Sequence, residues 1–369
     1  MEPATGQVTG QQPSPTQPPL VLPQQYGRAI DDPNTALLEQ IRTRLIRRQF
    51  VPVGLLLLLG ALDYLSFSEG DLTEPVFLGI VIVVLLASLT ANCWLYLPLQ
   101  RRGKALLSRF GWRPVPVTIL SDKPCQVRVT LEGTEVTLRL RRFYWVAKQA
   151  MLRTGTLWIC GPDERGRALA RVAGSVGSGM ADVIEAVPTG TPPVLARPST
   201  PRPGDDPALS YHRRVYNRVM LTQIAVLVLL VGAGVGIVTR AQGSLDNTSP
   251  AVFGGAAALL VALSVAALGY AKGRKMFQQV ADAPYWQPVP VSLDVWDEPA
   301  NRSLRTGAGR VILPNGYHAY VDFPRLSFDL AANMRATGVL WLAGYGAPGE
   351  TVPIGLPGYA LRGVAKFRM

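Results

Sequence analysis

Hydrophobic and polar positions follow two rhythms along this chain, and the pair of rhythms occurs twice. Four apolar runs, at 50–67, 75–97, 219–238 and 251–271, carry too few polar positions to mark one wet face of a helix. Crossing about 30 Å of hydrocarbon takes roughly 20 helical residues. Three of the runs reach that length, and Asp63 interrupts the first near its end. After each pair of runs comes a basic stretch, and then short segments that alternate with period two. VPVTIL (115–120), CQVRVTL (125–131), EVTLRL (135–140), TLWIC (156–160) and ALARVAG (168–174) predict five strands, with a hairpin turn at Glu132–Gly133–Thr134 and a short helix near 144–152. VPVSLDVW (289–296), RVIL (310–313), YHAYVDF (317–323), VLWLAG (339–344) and TVPIGL (351–356) predict five more, with a turn at Pro314–Asn315–Gly316 and a helix near 328–335.

The repetition extends to residue identity. GWRPVPV at 111–117 returns as YWQPVPV at 285–291, and TGTLWICG at 154–161 returns as TGVLWLAG at 337–344. The first pair lies 174 positions apart and the second 183, so the second copy holds nine extra residues, placed around Asp297–Gly309. The pattern predicts an α+β integral membrane protein made by tandem duplication of a two-helix transmembrane hairpin plus a small, mainly β, SH3-like or OB-like cytoplasmic domain.

The expected organisation is a disordered Pro- and Gln-rich tail over 1–35 and an amphipathic entry helix with the first hairpin over 36–98. A β domain follows over 99–186, then a Pro-rich linker over 187–211, the second hairpin over 212–271 and the second β domain over 272–369. The linker is read as an extended spacer. Its prolines also suit an SH3-type groove, a reading weighed against the plainer one.

Charge sets the expected orientation. Arg42, Arg44, Arg47 and Arg48 precede the first run, Arg101, Arg102 and Lys104 follow the second, Arg213, Arg214 and Arg218 precede the third, and Lys272, Arg274 and Lys275 follow the fourth. The intervening loops hold Glu69, Asp71 and Glu74, or Arg240 with Asp246. Basic flanks stay on the cytoplasmic side, which predicts a multi-pass cell-membrane protein with both termini and both β domains in the cytoplasm. The lipid bilayer and its anionic inner leaflet are the first expected partners. The net charge of +12 is then assigned to topology and lipid contact, and no nucleic-acid partner is invoked.

Composition narrows the chemistry. With 3 cysteines lacking CxxC spacing and only 2 histidines, His212 and His318, a metal or His-based catalytic centre has little to draw on. No catalytic, cofactor or metal residue is assigned, and no cofactor is expected. GPDERGR (161–167) offers Asp163, Glu164, Arg165 and Arg167 as an acid–base group, but its place between two predicted strands favours a charged hairpin turn. Gly232 and Gly236 form a GxxxG that would let helices pack closely. Trp112, Trp158, Trp286 and Trp341 occupy matching places in the two copies and are read as core anchors of the barrels.

Together these features suggest a bacterial, non-enzymatic inner-membrane scaffold or adaptor whose paired β domains dock a partner protein, a second copy or the inner leaflet. The alternatives are a subunit of an oligomeric transporter or channel, and an enzyme on a lipid-linked substrate using residues 161–167.

Overall fold

Each copy folds as two three-stranded meanders closed into a barrel, in a computed structural model that describes residues 18–44, 54, 100–141, 143–185, 191–196, 202–241, 250–296, 304–359 and 362–368. Helices α1 (33–44) and α2 (100–109) lead into the first barrel. Its strands are β1 (Trp112–Ser121), β2 (Gln126–Leu131), β3 (Thr134–Leu140), β4 (Thr156–Cys160), β5 (Arg167–Arg171) and β6 (Gly179–Ile184), with helix α3 (Trp145–Thr154) between β3 and β4. The order around the barrel is β1-β2-β3-β6-β5-β4, every pair is antiparallel, and β4 returns to β1. Helices α4 (Pro207–Ala241) and α5 (Pro250–Asp282) lead into the second barrel. Strands β7 (Trp286–Trp296), β8 (Leu304–Ile312), β9 (His318–Ser327), β10 (Val339–Ala343), β11 (Thr351–Gly355) and β12 (Arg362–Phe367) repeat the same order, with α6 (Phe328–Thr337) in the place of α3.

Local sequence explains the turns that fix this path. Between β2 and β3 the two-residue loop Glu132–Gly133 has φ of 52° and 84°, the mirror-image turn whose twist matches that of the flanking strands. Both cap helices stop at a glycine in the left-handed region, Gly155 (φ 62°) and Gly338 (φ 66°), whose N–H groups donate to Met151 O and Met334 O. The TG of each repeated TGxLW motif is therefore a helix stop followed at once by a strand.

Strand alternation then sorts the side chains. Along β4, Leu157 and Ile159 point into the barrel, while Trp158 and Cys160 join Leu106, Leu107, Trp112, Leu169 and Ala29 in a second cluster outside it. Helix α2 and the N-terminal turn cover that outer cluster. In the second copy Leu340 and Leu342 point inward, and Phe277 and Val280 of α5 cover Ala343 from outside. Fully burying a Leu or Ile of this kind contributes about 1.5–3 kcal/mol, so each barrel is stabilised on both faces of β4 or β10. One contiguous apolar cluster runs through both barrel interiors and includes Tyr359 at their junction.

Several expectations are corrected. Each barrel has six strands and not five: β6 and β12 close them, and both are short, broken by glycine and weakly alternating. Among the described residues no helix is long and apolar enough to cross a membrane. That finding overturns the integral-membrane fold class, the multi-pass description and the inner-membrane localisation with cytoplasmic termini. The physical reason is continuity. A hydropathy window isolates an apolar run, but α4 carries exposed Arg213, Arg214 and Arg218 in the same unbroken helix, and α5 carries exposed Lys272, Arg274 and Lys275. The runs 50–67 and 75–97, apart from the backbone of Gly54, lie outside the described residues. The surface arginines of the barrels have local partners, among them Arg113–Glu132, Arg141–Asp182, Arg310–Asp294 and Arg368–Asp322. Exposed pairs of this kind are worth about 0–1 kcal/mol each.

Candidate peptide-docking site

Residues 18–32, placed by sequence in a disordered tail, run across the junction of the two barrels. The backbone is extended, with Val21 and Pro23 buried and Leu22 exposed between them. Val21 is 2% exposed and packs with Val176 and Ala332. Its N–H donates to Asn333 Oδ1 on α6 at 2.8 Å, and its carbonyl accepts from Gly174 N at 3.0 Å. Asn333 Nδ2 donates in turn to Gly174 O at 2.7 Å. One amide side chain of the second barrel thus binds both the segment and the β5–β6 loop of the first. Gly174 is required twice over here: its φ is +79°, and an added Cβ would press on Leu20 and Tyr359.

A buried charge network anchors the same segment. Asp32 caps α1, accepting from Thr35 N at 2.9 Å and Thr35 Oγ1 at 2.6 Å, and Pro33 stands at the first helical position. Asp32 also pairs with Arg171 at 3.2 Å, with the two side chains 4% and 0% exposed. Arg171 donates further to Ser175 O and Thr35 Oγ1, and its cation lies 6.0 Å from the Trp112 ring. Burial holds Arg171 below the usual guanidinium range despite the Asp32 charge. Asp329 on α6 reaches the same loop, accepting from Val176 N at 2.5 Å, and burial raises its pKa against those bonds and the Arg171 charge.

The second copy has a counterpart on the first barrel. Residues 191–196 pass over α3, where Gln149 Nε2 donates to Val194 O at 2.9 Å and Gln149 Oε1 accepts from Ala196 N at 2.7 Å. Asp122 N donates to Thr191 O at 3.1 Å, and Lys148 ties α3 to Asp122 at 2.6 Å. Further along, Asp206 caps α4 ahead of Pro207, accepting from Ala208 N at 2.9 Å and from Gly358 N at 2.6 Å. Burial pushes its pKa up, with the two N–H bonds and Arg153 opposing. Arg153 of α3 lies 5.6 Å from the Tyr359 ring, and Gly358, with φ +77°, leaves no room for a Cβ beside it. The β11–β12 loop therefore packs on the cap helix of the first barrel, as the β5–β6 loop packs on that of the second.

The sequence holds a signal for this arrangement in the spacing of its prolines and aspartates. Pro18–Pro19 and Pro192–Pro193 lie 174 positions apart, as do Asp31–Asp32–Pro33 and Asp205–Asp206–Pro207, the same spacing as the WxPVPV motifs. The tail and the linker are thus equivalent parts of the repeated unit. Each unit opens with a Pro-Pro segment, and each segment lies on the cap helix of the other unit.

The singled-out residues take other places. Trp112 and Trp158 are buried, but in the seam under α2 and not inside the barrel; Trp286 and Trp341 are half-buried. Only Trp112 of the four has its indole N–H bonded, to Thr35 Oγ1 at 3.4 Å. At Gly232 an added Cβ would meet no atom within 4 Å, and the surroundings of Gly236 lie outside the described residues. The close approach of α4 and α5 falls instead at Gly273 against Tyr216, whose hydroxyl donates to Gly269 O at 3.1 Å.

Residues 161–167 form a turn. Asp163 Oδ1 accepts from Arg165 N and Arg167 N; burial, which alone would raise it, is outweighed by those bonds, and Asp163 sits below the usual carboxylate range. Glu164 pairs with Arg109 at the surface. Cys125 and Cys160 are buried thiols, pushed up by burial to about 11 and about 12, while Cys93 lies outside the described residues. Among the described residues no group of three or more His, Cys, Asp or Glu side chains is placed to hold a metal ion. No family model matches the chain, and searches of curated proteins and of solved structures return no match either.

Proposed function

We propose that the chain is a docking scaffold whose two cap helices receive extended, proline-led segments, and that its role is binding and not catalysis. One observation carries this reading. Asn333 and Gln149, on equivalent helices of the two barrels, each reach the main chain of a Pro-Pro segment with a carboxamide: Asn333 accepts from Val21 N while donating to Gly174 O of the first barrel, and Gln149 donates to Val194 O while accepting from Ala196 N. Extended proline-rich chain is a recurrent recognition element, because its conformation is set before binding and little entropy remains to be lost. An amide gripping main-chain groups accepts many sequences, which suits an adaptor. The 161–167 turn supports the same choice, since Asp163 Oδ1 is taken by the turn's own N–H groups and Oδ2 pairs with Arg167.

The test compares the native chain with the Asn333→Ala and Gln149→Ala double variant, each purified from native cells under mild conditions. Native chain is expected to bring down a stoichiometric partner, and the double variant, checked for retained β structure by circular dichroism, is expected to lose it. A partner retained at full stoichiometry by the double variant, or a native chain that always purifies alone, would count against docking through these helices.

A further inference from the structure

The two seats differ in a way that assigns them different tasks. On α6 the bound segment is locked: Val21 is buried and the Asp32–Arg171 pair holds the chain just beyond it. On α3 the bound segment lies on the surface, with Thr191 and Pro192 exposed and Val194 84% exposed. Among the described residues three hydrogen bonds attach its main chain, from Asp122 N to Thr191 O, from Gln149 Nε2 to Val194 O and from Ala196 N to Gln149 Oε1. Of its apolar side chains Val194 is exposed and Pro193, Leu195 and Ala196 are half-buried, where Val21 on α6 is fully buried, so this segment is the more readily exchanged of the two. Neither proline uses an N–H in this seat, and both favour the extended form that the seat receives. One turn before Gln149 on the same face of α3 stands Trp145, stacked on Tyr211 with ring centroids 5.2 Å apart, beside Tyr144, which is 67% exposed. An exposed tyrosine and a half-buried tryptophan next to a main-chain clamp resemble the aromatic-lined surfaces that receive proline-containing peptides.

We infer that the Gln149 seat is a binding site for an extended Pro-Pro-led peptide segment of a partner protein, and that residues 191–196 fill it in cis until such a segment displaces them. The proposal rests on the docking reading above and names its ligand class. The ligand must offer a carbonyl two residues before a free N–H, with two prolines ahead of that carbonyl, as Pro192, Pro193, Val194 and Ala196 do. The α6 seat, where Val21 is buried, joins the barrels and releases its own segment less readily.

The experiment uses the full chain and a fluorescent peptide of the sequence TPPVLAR, followed by anisotropy. Ala196→Pro removes the cis N–H that Gln149 accepts and leaves Gln149 untouched. Losing one such bond is expected to tighten probe binding about fivefold relative to the native chain. Gln149→Ala in the Ala196→Pro background is expected to weaken it tenfold or more, with circular dichroism showing that helix and strand content are kept. A competitor peptide TPPVLPR, which lacks the required N–H, is expected not to displace the probe, and this arm needs no chain variant. Probe binding that ignores Gln149→Ala, or that TPPVLPR competes as well as TPPVLAR, would overturn the proposal. If no chain form binds the probe while partner recovery still depends on Asn333 and Gln149, this ligand class falls and the docking reading stands.

Discussion

At the scale of single residues, three polar side chains hold the junction, and their chemistry sets distinct expectations. Asn333→Ala leaves Val21 N–H and Gly174 C=O without their partner in a buried place; unsatisfied groups of this kind cost about 1–3 kcal/mol each. Chemical denaturation should therefore show a loss of about 2–5 kcal/mol, and a loss below about 1 kcal/mol would mean that water replaces the amide. Asp32→Ala strands the Arg171 cation, fully buried and with one guanidinium nitrogen already unbonded. Breaking a buried pair from one side costs about 3–5 kcal/mol. Asp329 makes the pH argument. Burial raises its folded pKa above the ordinary carboxylate value, against the N–H of Val176 and the Arg171 charge. A raised carboxylate contributes stability that is complete below the unfolded value and is lost as pH rises through the folded one. Asp329→Asn keeps an acceptor for Val176 N and cannot ionise. Melting temperatures at pH 4 and pH 7 should show the variant gaining on the native chain at the higher pH; parallel curves would remove Asp329 from the account.

At the scale of elements, legibility followed the strength of local periodicity. Strands β1 to β5 and β7 to β11 overlap stretches whose alternation was plain, and the cap helices lie where Tyr144 to Leu152 and Phe328 to Arg335 predict them. Strands β6 and β12 were missed because GMADVI and RGVAKF place glycine and charge where a strand signal needs branched apolar residues. Most of the insertion lies where the sequence places it: Ser292 pairs with Arg310 as Thr118 pairs with Arg128, offsets of 174 and 182, so eight of the nine added residues enter between β7 and β8 and the ninth between β8 and β9. The apolar runs misled because their charged flanks were read as the ends of spans, whereas α4 and α5 continue through those flanks as unbroken helix. The docking seats were legible only in part: the 174-residue spacing marks the two Pro-Pro segments as equivalent, but proline-rich sequence is the usual mark of an unpacked spacer, and only contacts 312 positions apart, as from Val21 to Asn333, show that one is held. Trp158 illustrates the same limit, for alternation shows that TLWIC is a strand and does not show that its outward face is also covered. Trp158→Ala should still cost about 3–5 kcal/mol, and its loss should loosen α2 first, seen as faster hydrogen exchange at Leu106 and Leu107 than in the barrel strands.

At the scale of the molecule, the two units are joined by exchange. The opening segment of the first lies on α6 of the second, the opening segment of the second lies on α3 of the first, and the loops at Gly174 and Gly358 pack across in the same sense. Covalent order alone would permit two barrels that melt independently. The crossed segments make each barrel depend on chain belonging to the other, which turns two small folding units into one cooperative unit. Calorimetry of the native chain should accordingly show both barrels unfolding in a single transition. Val21→Asp places a charge where the side chain is 2% exposed, between Val176 and Ala332, and an unpaired buried charge cannot be held there. The α6 joint should open while both barrel interiors keep their own apolar contacts, so the single transition should split into two, with the more stable barrel keeping its original midpoint within a few degrees. Two transitions already present in the native chain would show that the crossed segments do not couple the barrels. A single transition in Val21→Asp, merely shifted down, would place the coupling in the loop contacts at Gly174 and Gly358 and not in the N-terminal segment.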